Sequence, residues 1–546
     1  MIEQIRNTKM HVKRNSKSEL GITLIALVIT IIILIILATI SITLVFGEGG
    51  LIQRAQEGKA LTEQAQKDEQ DELKGAEEFI NGVLAGTDLP DNPEDEPYVD
   101  GSIVVAPQIS SGMTPVKYDE NQNKWVKTEV TDSEWYDYGN KEWANVVLVG
   151  ENGKDADGDQ DVFNADGTLN EDSNYSMLVW IPRYAYKINS QYHESGTGGG
   201  EIDIVFLDTD NKGKDRNTTY STEYPSVSGG AMSDYVVHPA FDYGGTALPG
   251  FWVGKFESSH IGCTTDSSTG EYTKTDKILQ IKAGITSWRK INISNIFTVC
   301  TAMNDIGNPY GLNTSDNVVD PHMMKNSEWG AVAYLSQNAT YGKGSEVWTN
   351  NSRDFITGSA GNSASAAEGE GTTNDYKSTQ GQEASTTGNV TGIYDMSGGA
   401  WEYVAAYINN DYIKSGQDPY SYGGKNLIDS VNAGNTKYAD IYKVTLDNEL
   451  NNYNDAQPTA NQGNPTSSTG YYGDAIWETS KECLSSNGSW YEEGSRFPNT
   501  NYPFFDRGGG IGSATSEGLF YFSYNNGYTT GQPSFRVVIP VIESVN

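Results

Sequence analysis

The chain has 546 residues, a formal net charge of −35 and a mean hydropathy of −0.52. The acidic excess argues against nucleic acid as a partner, because phosphate would be repelled. The polar composition argues against a bundle of membrane helices and favours a loop-rich globular body. Three cysteines are too few for a disulfide framework to hold such a body.

The chain begins with a basic leader that runs directly into an apolar segment. From Ile22 to Phe46 no charged residue occurs. A helix of that length rises about 37 Å, enough to cross a hydrocarbon core of about 30 Å. The basic flank should stay in the cytoplasm, and a secretory signal fits less well because its apolar region is shorter. We therefore expect a membrane helix that places the remaining chain outside the cell.

The boundary between the leader and the apolar segment reads "ELGITLIALVIT". It resembles the N-terminus of type IV prepilins and pseudopilins. The resemblance implies that prepilin peptidase cuts after Gly21, that Ile22 becomes the methylated first residue, and that other pilins are partners. Ala26 stands where most members carry a glutamate that registers neighbouring subunits, a departure that concerns polymerisation more than processing. An uncleaved membrane anchor is the alternative.

Apolar residues continue at roughly helical spacing from Leu51 to Leu84, which predicts an amphipathic helix. The segment that follows is acidic, Pro-rich and without apolar periodicity, as an extended spacer is. The predicted organisation is therefore a leader at 1–21, a transmembrane and pilin-like helix at 22–85, a linker at 86–100 and an extracellular domain at 101–546.

Beyond Gly101, short aromatic segments alternate with turn-rich tracts. The strand candidates are "NKWVKTEVTDSEWYDYGNKEWANVVLVG", "SMLVWIPRYAYKI" and "FWVGKFES". The segments "ISNIFTVCTAMN" and "NSEWGAVAYLSQ" predict helices. Three tracts are predicted to be loops, at 190–234, 351–389 and 451–473, and the low-complexity middle tract is predicted to have poor local order.

Four phrases follow one another in this domain: "LVWIPRYAYKI", "HMMKNSEWGAVAYLS", "GIYDMSGGAWEYVAAY", and "GSW" with "PSFRVVIP". Together they resemble the formylglycine-generating-enzyme and sulfatase-modifying-factor superfamily, which implies an elaborated C-type lectin fold. The expected fold class is therefore α+β, a long N-terminal transmembrane, pilin-like helix followed by a large loop-rich C-type-lectin-like domain. The resemblance also implies that Tyr394 and Trp401 are core residues, although Gly399, Ala400 and Tyr403 depart from the usual pattern.

The chemistry of that superfamily is only partly matched. Its oxidases hold copper with two nearby cysteines late in the domain, but no cysteine follows Gly488. Cys300 lies in an apolar phrase and is expected to be buried. Iron-dependent relatives use a histidine cluster, whereas the five histidines here are widely spread, with no H-x-x-x-H pair. We therefore predict no catalytic residues.

One loop carries alternating carboxylates, which can supply hard oxygen ligands to calcium. The calcium candidates in its phrase "KDADGDQDVFNADG" are Asp155, Asp157, Asp159 and Asp161. The spacing is not that of an EF-hand, because Gly158 takes the fourth position. Calcium is the one cofactor considered, and a solvated acidic loop without an ion is the alternative.

The C-terminal segment mixes Asn, Tyr, Ser and Thr densely, as binding surfaces do because Tyr offers large contact area at low entropy cost. It also resembles the variable proteins of diversity-generating retroelements, which display hypervariable residues on a C-type lectin fold. Phe520, Phe522 and Phe535 are expected in the core, and alternation along a strand turns their neighbours outward. The predicted ligand-binding residues, of which the first four are expected in a preceding loop, are Asn499, Asn501, Tyr502, Asp506, Tyr521, Ser523, Asn525 and Tyr528.

These features favour a surface-displayed, membrane-anchored or pilus-associated binding protein without catalysis. Its partner is expected to be a protein or a glycan. Two alternatives stay open: a metal-dependent oxidase of the formylglycine-generating class, and a structural minor pseudopilin whose domain only caps an assembly.

Overall fold

The structure is a computed structural model that describes residues 104–542 with internal gaps. The gaps are 215–219, 224–234, 265–274, 313–317, 365, 367, 370–372, 410–422, 445–447, 456, 460–472, 513–515 and 530. Several predictions lie outside the described residues: the cleavage site at Gly21 and Ile22, the apolar segment 22–46, the helix at 22–85 and the linker at 86–100.

Strands make up most of the regular structure in the described residues. Up to His260 they are β1 (Met113–Asp119), β2 (Lys124–Lys127), β3 (Asn145–Leu148), β4 (Ser176–Pro182), β5 (Tyr184–Ile188), β6 (Ile202–Phe206), β7 (Lys212–Lys214), β8 (Tyr220–Glu223), β9 (Val236–Val237), β10 (Asp242–Tyr243), β11 (Thr246–Ala247), β12 (Gly250–Gly254) and β13 (Ser259–His260). After it they are β14 (Leu279–Gln280), β15 (Val318–Val319), β16 (His322–Met323), β17 (Ser359–Ala360), β18 (Asn374–Asp375), β19 (Glu402–Ile408), β20 (Asp440–Lys443), β21 (Gln457–Thr459), β22 (Phe504–Arg507), β23 (Phe522–Asn525), β24 (Ser534–Phe535), β25 (Val537–Ile539) and β26 (Val541–Ile542).

The α-helices of the described residues are short: α1 (Ile293–Thr301), α2 (Asn326–Gln337), α3 (Lys425–Asn432) and α4 (Glu449–Asp455). The longest of them, α2, has 12 residues. None of the helices in the described part of the chain is long and apolar enough to cross a membrane.

The predicted fold class is wrong. An α+β protein with a long N-terminal membrane helix was expected, whereas the described residues form a strand-rich body with short helices. The physical reason is that turn-forming Gly and Asn residues interrupt the apolar segments of the described residues. Each segment is then long enough for one strand or a few helical turns, and strands from distant parts of the chain satisfy one another's backbone groups.

A seven-stranded antiparallel sheet has the order β16-β25-β12-β4-β3-β1-β2. Its central strands β4 and β12 are buried along their whole length. Trp180 and Trp252 are opposite each other in the register, with ring centroids 5.2 Å apart. A Cβ at Gly250 would lie 2.3 Å from the Trp180 ring, so only glycine allows β12 to approach this closely.

A second sheet has the order β21-β20-β19-β22-β23, and β24 also pairs with β19. Its central strand β19 is buried throughout and runs antiparallel to β22. β23 pairs with β22 alone among the named strands, so it forms one margin of the sheet. Smaller sheets complete the body: β6-β5-β9, β7-β8, β10-β11, β13-β14, β15-β26 and β17-β18.

The last strands of the chain connect the two large sheets. β24 pairs with β19 in the second sheet, and β25 pairs with β12 and β16 in the first. Arg536, the residue between β24 and β25, is fully buried. It donates to the Gly254 carbonyl at 2.7 Å, to the Tyr394 carbonyl at 2.9 Å and to the Glu402 carboxylate. The phrases "FRVV" and "YDMSGGAWEY" are therefore joined in the interior.

Several element predictions are confirmed. β4, β5 and β12 cover the second and third predicted strand segments, and α1 and α2 cover the predicted helices. Asn292 caps α1 by accepting the Asn295 N–H at 2.8 Å. The loop predictions are wrong in part, because β6, β17 and β21 lie in the three tracts. These strands form because each pairs with another strand, β6 with β5 and β21 with β20.

Candidate functional site

Polar side chains converge on one face of the second sheet where β19, β22 and β23 meet. Asp506 of β22 is opposite Tyr403 of β19 on one side and Ser523 of β23 on the other. Residues opposite each other on paired strands share a face, and next-nearest residues along a strand do too. Asn525 therefore lies on the same face as Asp506 and Ser523.

Hydrogen bonds fix the orientation of these side chains. The Asn525 amide nitrogen donates to Asp506 Oδ2 at 2.9 Å. The Tyr403 hydroxyl lies 2.8 Å from Asn525 Oδ1 and 2.8 Å from the Tyr528 carbonyl oxygen. Tyr403 is fully buried, whereas Ser523 and Asn525 are half-buried. The buried Tyr403 thus helps to fix the orientation of Asn525, which is half-buried and reaches the surface.

Asp506 is a buried carboxyl group on this face. Its side chain is 5% exposed, and its Oδ1 atom has no hydrogen-bond partner among the described residues. The pKa of Asp506 is raised to about 7, mainly by burial. The nearby Glu517 carboxylate also raises this pKa, while the Asn525 hydrogen bond and Arg507 lower it. The Arg507 guanidinium bonds instead to the carbonyls of Asp474 and Ala475, both at 3.0 Å.

Tyr521 and Trp401 border this face. Tyr521 is 9% exposed, and burial raises the pKa of its hydroxyl well above the ordinary value, although hydrogen bonds with the Ser523 and Trp401 side chains oppose that shift. Trp401 is half-buried. A Cβ at Gly510 would lie 3.0 Å from the Trp401 ring, so the indole packs closely against backbone on one side. We call the set Trp401, Asp506, Tyr521, Ser523 and Asn525 the Asp506 patch.

Asn499, Asn501 and Tyr502 lie in a turn that precedes β22. Asn499 Oδ1 accepts the N–H groups of Asn501 at 2.9 Å and Tyr502 at 3.1 Å, which forms a tight turn before β22. Tyr502 is 42% exposed, and its ring centroid is 5.1 Å from that of Tyr524. Tyr524 alternates with Asn525 along β23 and so belongs to the opposite face.

Tyr528 contributes to the site mainly through its backbone. Its carbonyl oxygen lies beside the Tyr403 hydroxyl, its N–H donates to Asn526 Oδ1 at 3.0 Å, and its side chain is half-buried. The turn that contains Tyr528 therefore helps to hold the polar layer in position.

Three placements differ from the expectations. Asp506 lies in strand β22 and not in a preceding loop, because its backbone pairs on both sides. Tyr521 is more buried than the outward-facing position that was expected. Its ring packs near Gly494, and its hydroxyl interacts with the Ser523 and Trp401 side chains. Trp401 is half-buried and not a core residue, whereas Tyr394 is fully buried as expected. The expected core positions Phe520, Phe522 and Phe535 are confirmed.

Sequence reasoning missed Trp401 and Tyr403 as parts of this site. The available signal was the two-residue period at the start of β19, where Tyr403 and the preceding Trp401 alternate with Glu402 and Val404. Glu402 is paired with Arg536 in the interior. Its neighbours therefore had to face the other way, towards β22 and β23 side chains on the patch side.

The carboxylates of the predicted calcium loop are largely engaged by the chain itself. Asp155 is 2% exposed and accepts the N–H groups of Asp159 and Gln160, both at 3.1 Å, and that of Asn174 at 2.9 Å. Asp161 pairs with Lys154 at 2.9 Å. Asp157 accepts the Asn174 side-chain amide at 2.7 Å. Calcium binding by this loop stays an untested alternative to a solvated acidic loop without an ion.

Within the described residues, no group of three or more His, Cys, Asp or Glu side chains is arranged to hold a metal ion. Among the described residues, Cys263, Cys300 and Cys483 form no disulfide. Burial raises the pKa of Cys300 well above the ordinary value and that of Cys483 to about 12. Both thiols are therefore poor sources of the thiolate that metal binding or nucleophilic attack requires.

A cavity of about 690 Å³ lies away from these residues, beside β1 and β2. Trp125, Trp135 and Trp143 are part of its lining, but each is at most 3% exposed. Their indole N–H groups donate to Tyr376, Asn145 and Tyr341. These rings thus belong to the core, and their faces do not offer a stacking surface.

Comparisons of the chain with protein-family models and with curated proteins found no match.

Proposed function

We propose that this chain is a non-catalytic recognition protein that binds a protein or a glycan through the Asp506 patch. The observation that carries the proposal is the convergence of Asp506, Tyr521, Ser523 and Asn525. The sequence predicts that these residues bind a ligand, and they lie together at the margin of the second sheet.

The chemistry of the patch suits recognition. Hydrogen bonds from Tyr403 and Asn525 hold the polar groups in place, so less side-chain freedom is lost when a ligand binds. Trp401 supplies a half-buried aromatic surface beside hydroxyl and amide groups. Aromatic anchors next to adaptable hydrogen-bonding groups are typical of binding surfaces.

The resemblance of the C-terminal segment to diversity-generating retroelement variable proteins supports the same assignment. In those proteins, residues on a C-type lectin scaffold vary while the scaffold stays fixed. Here the half-buried Ser523 follows the buried Phe522, so the side chain at the outward position 523 can change while Phe522 keeps its place in the core.

We also propose that the domain is displayed outside the cell, from the basic leader and the apolar segment that follows it. The prepilin-like boundary predicts that the mature chain begins at Ile22 after cleavage by prepilin peptidase. Mass spectrometry of the mature protein tests this step. An intact Met1 in cells with active prepilin peptidase would contradict the processing proposal without affecting the binding proposal.

The binding proposal is tested with Ser523→Arg, which places a long charged side chain in the middle of the patch at a half-buried position. Thr246→Arg is the matched control, because Thr246 is an exposed residue of another strand, β11. The full-length proteins are compared on a glycan array and on an array of cell-surface proteins. We expect wild type and Thr246→Arg to bind the same array positions and Ser523→Arg to lose at least 90% of that signal. Equal binding by Ser523→Arg, with unchanged thermal stability, would overturn the proposal.

A further inference from the structure

A small surface cavity of about 180 Å³ lies away from the Asp506 patch, between the start of β5 and the β10-β11 hairpin. Its floor contains Arg183 and His238, which are 4% and 0% exposed. Its rim contains Asn211, Asp242 and Ala247. We call this space the Arg183 cavity.

The Arg183 guanidinium is fixed by neutral acceptors. Its Nη1 donates to the Phe241 carbonyl at 2.8 Å and to the Leu248 carbonyl at 3.2 Å. Its Nη2 donates to the Asn211 side-chain oxygen. Its Nε, which is itself buried, has no hydrogen-bond partner in the part of the chain that the structure describes. A guanidinium carries five N–H donors, so this group keeps donors to spare at the floor of an open cavity.

The charge of Arg183 is not balanced by a contacting carboxylate. No ion pair joins it to an acidic side chain of the described residues, and Asp242 and Asp208 act on it only at longer range. Burial lowers the pKa of Arg183 to about 10, which still leaves the group charged at neutral pH. A buried charge without a contacting counter-charge is costly. An anion in the cavity would remove part of that cost.

His238 does not add a second positive charge to the floor. Its Nδ1 accepts the Ala240 N–H at 3.3 Å, which requires an unprotonated Nδ1. Burial lowers the pKa of His238 to about 3. Arg183 is therefore the one cationic group among the described residues that line the cavity.

Asp242 sets the second requirement for a ligand. It is half-buried at the rim, and its Oδ1 accepts the Gly245 N–H at 2.8 Å, which fixes the carboxylate there. A simple anion on Arg183 would be repelled by this neighbouring negative charge. A molecule that carries both a carboxylate and an ammonium group would satisfy both residues.

We propose that the Arg183 cavity binds a small zwitterion of the amino-acid type, with its carboxylate on Arg183 and its ammonium group towards Asp242. The cavity volume of about 180 Å³ is large enough for a small amino acid such as glycine or alanine. This site is independent of the Asp506 patch.

Ligand-observed NMR titration of the full-length protein tests the site with three probes: glycine, acetate and methylammonium. We expect glycine to bind at least tenfold more tightly than either singly charged probe. Asp242→Asn should abolish the preference for glycine over acetate. Acetate that binds as tightly as glycine to the wild-type protein would overturn the proposed ligand class.

Two further variants locate the site. Ala247→Phe fills the cavity from an exposed rim position without touching the buried arginine, so it should fold normally and lose glycine binding. Arg183→Gln should lose it too, whereas Arg289→Gln should retain it, because Arg289 is another largely buried arginine outside this cavity. No glycine binding by the wild-type protein, or unchanged binding in a folded Ala247→Phe protein, would overturn the proposal.

Discussion

Arg536 and Glu402 form a bidentate ion pair in the interior, with Nη2 to Oε1 at 2.5 Å and Nε to Oε2 at 3.1 Å. The pair stands where the chain passes from β24 in one large sheet to β25 in the other. Arg536 also donates to the carbonyls of Gly254 and Tyr394. The sequences "YDMSGGAWEY" and "PSFRVVIP", which lie more than a hundred residues apart in the chain, are therefore held together by this ion pair and these hydrogen bonds.

Glu402→Gln should destabilise the protein by about 3 to 5 kcal/mol, because it leaves the buried Arg536 guanidinium without its counter-charge. Urea unfolding monitored by tryptophan fluorescence measures the change. The double variant Glu402→Gln, Arg536→Met is the control, since it removes both charges and should recover part of the loss. A single variant as stable as the wild-type protein would show that the pair contributes little to the joint between the sheets.

Tyr394→Ala and Trp401→Ala should separate stability from binding. Tyr394 is fully buried, and truncation of a buried aromatic residue costs about 3 to 5 kcal/mol. Trp401 is half-buried in the Asp506 patch, so its truncation should cost less than half as much while ligand capture on the arrays is lost. Thermal unfolding and array binding of both variants check the two expectations. Equal destabilisation by both variants would mean that Trp401 is a core residue after all.

The alternation of core and outward-facing residues along the last strands could be predicted from the sequence. Phe522 is apolar and Ser523 is polar, so only one orientation of the strand places the apolar residue in the core. The structure confirms this orientation, with Phe522 buried and Ser523 half-buried. The burial of Tyr521 could not be read in the same way. Tyr suits both core and surface, and what buries it is contact with the distant Gly494 and Trp401.

The prediction of the fold class was wrong for a related reason. Residues 190–234 and 351–389 have the composition of loops, yet they contain strands such as β6 and β17. Their hydrogen-bond partners are β5 and β18, and no local propensity in a short polar segment reveals such pairing. Arg183 lies in the sequence "LVWIPRYAYKI", but only the folded chain brings Asp242 and Ala247 around it.

The acidic loop is tested by Asp155→Ala. Three backbone N–H groups that point at the Asp155 carboxylate would lose their acceptor, so we expect a loss of about 1 to 3 kcal/mol in unfolding free energy. The chain's own N–H groups already bind this carboxylate. We therefore expect the wild-type protein to have the same melting temperature in about 1 mM calcium, a saturating level, as in EGTA. A calcium-dependent rise that disappears in Asp157→Asn would instead establish the calcium site.

The pH dependence of stability should identify Asp506. Its folded-state pKa is raised from 3.8 to about 7, so the folded protein binds this proton more tightly than the unfolded chain does. The stabilising contribution is complete below a pH of about 4 and is lost as the pH rises through 7.

Asp506→Asn cannot become charged, and it should therefore be more stable than the wild-type protein at pH 8 and equal to it at pH 4. We expect a gain of about 1 to 3 kcal/mol at pH 8, the order of the cost of leaving a buried polar group unsatisfied. Other raised carboxyls, such as Glu478 with a pKa of about 8, are common to both proteins and cancel in the difference. Urea unfolding at pH 4, 6 and 8 measures the difference, with Asp159→Asn on the exposed acidic loop as the control. The same gain at every pH would contradict the assignment, because a change in packing would then explain it and the ionisation of Asp506 would not.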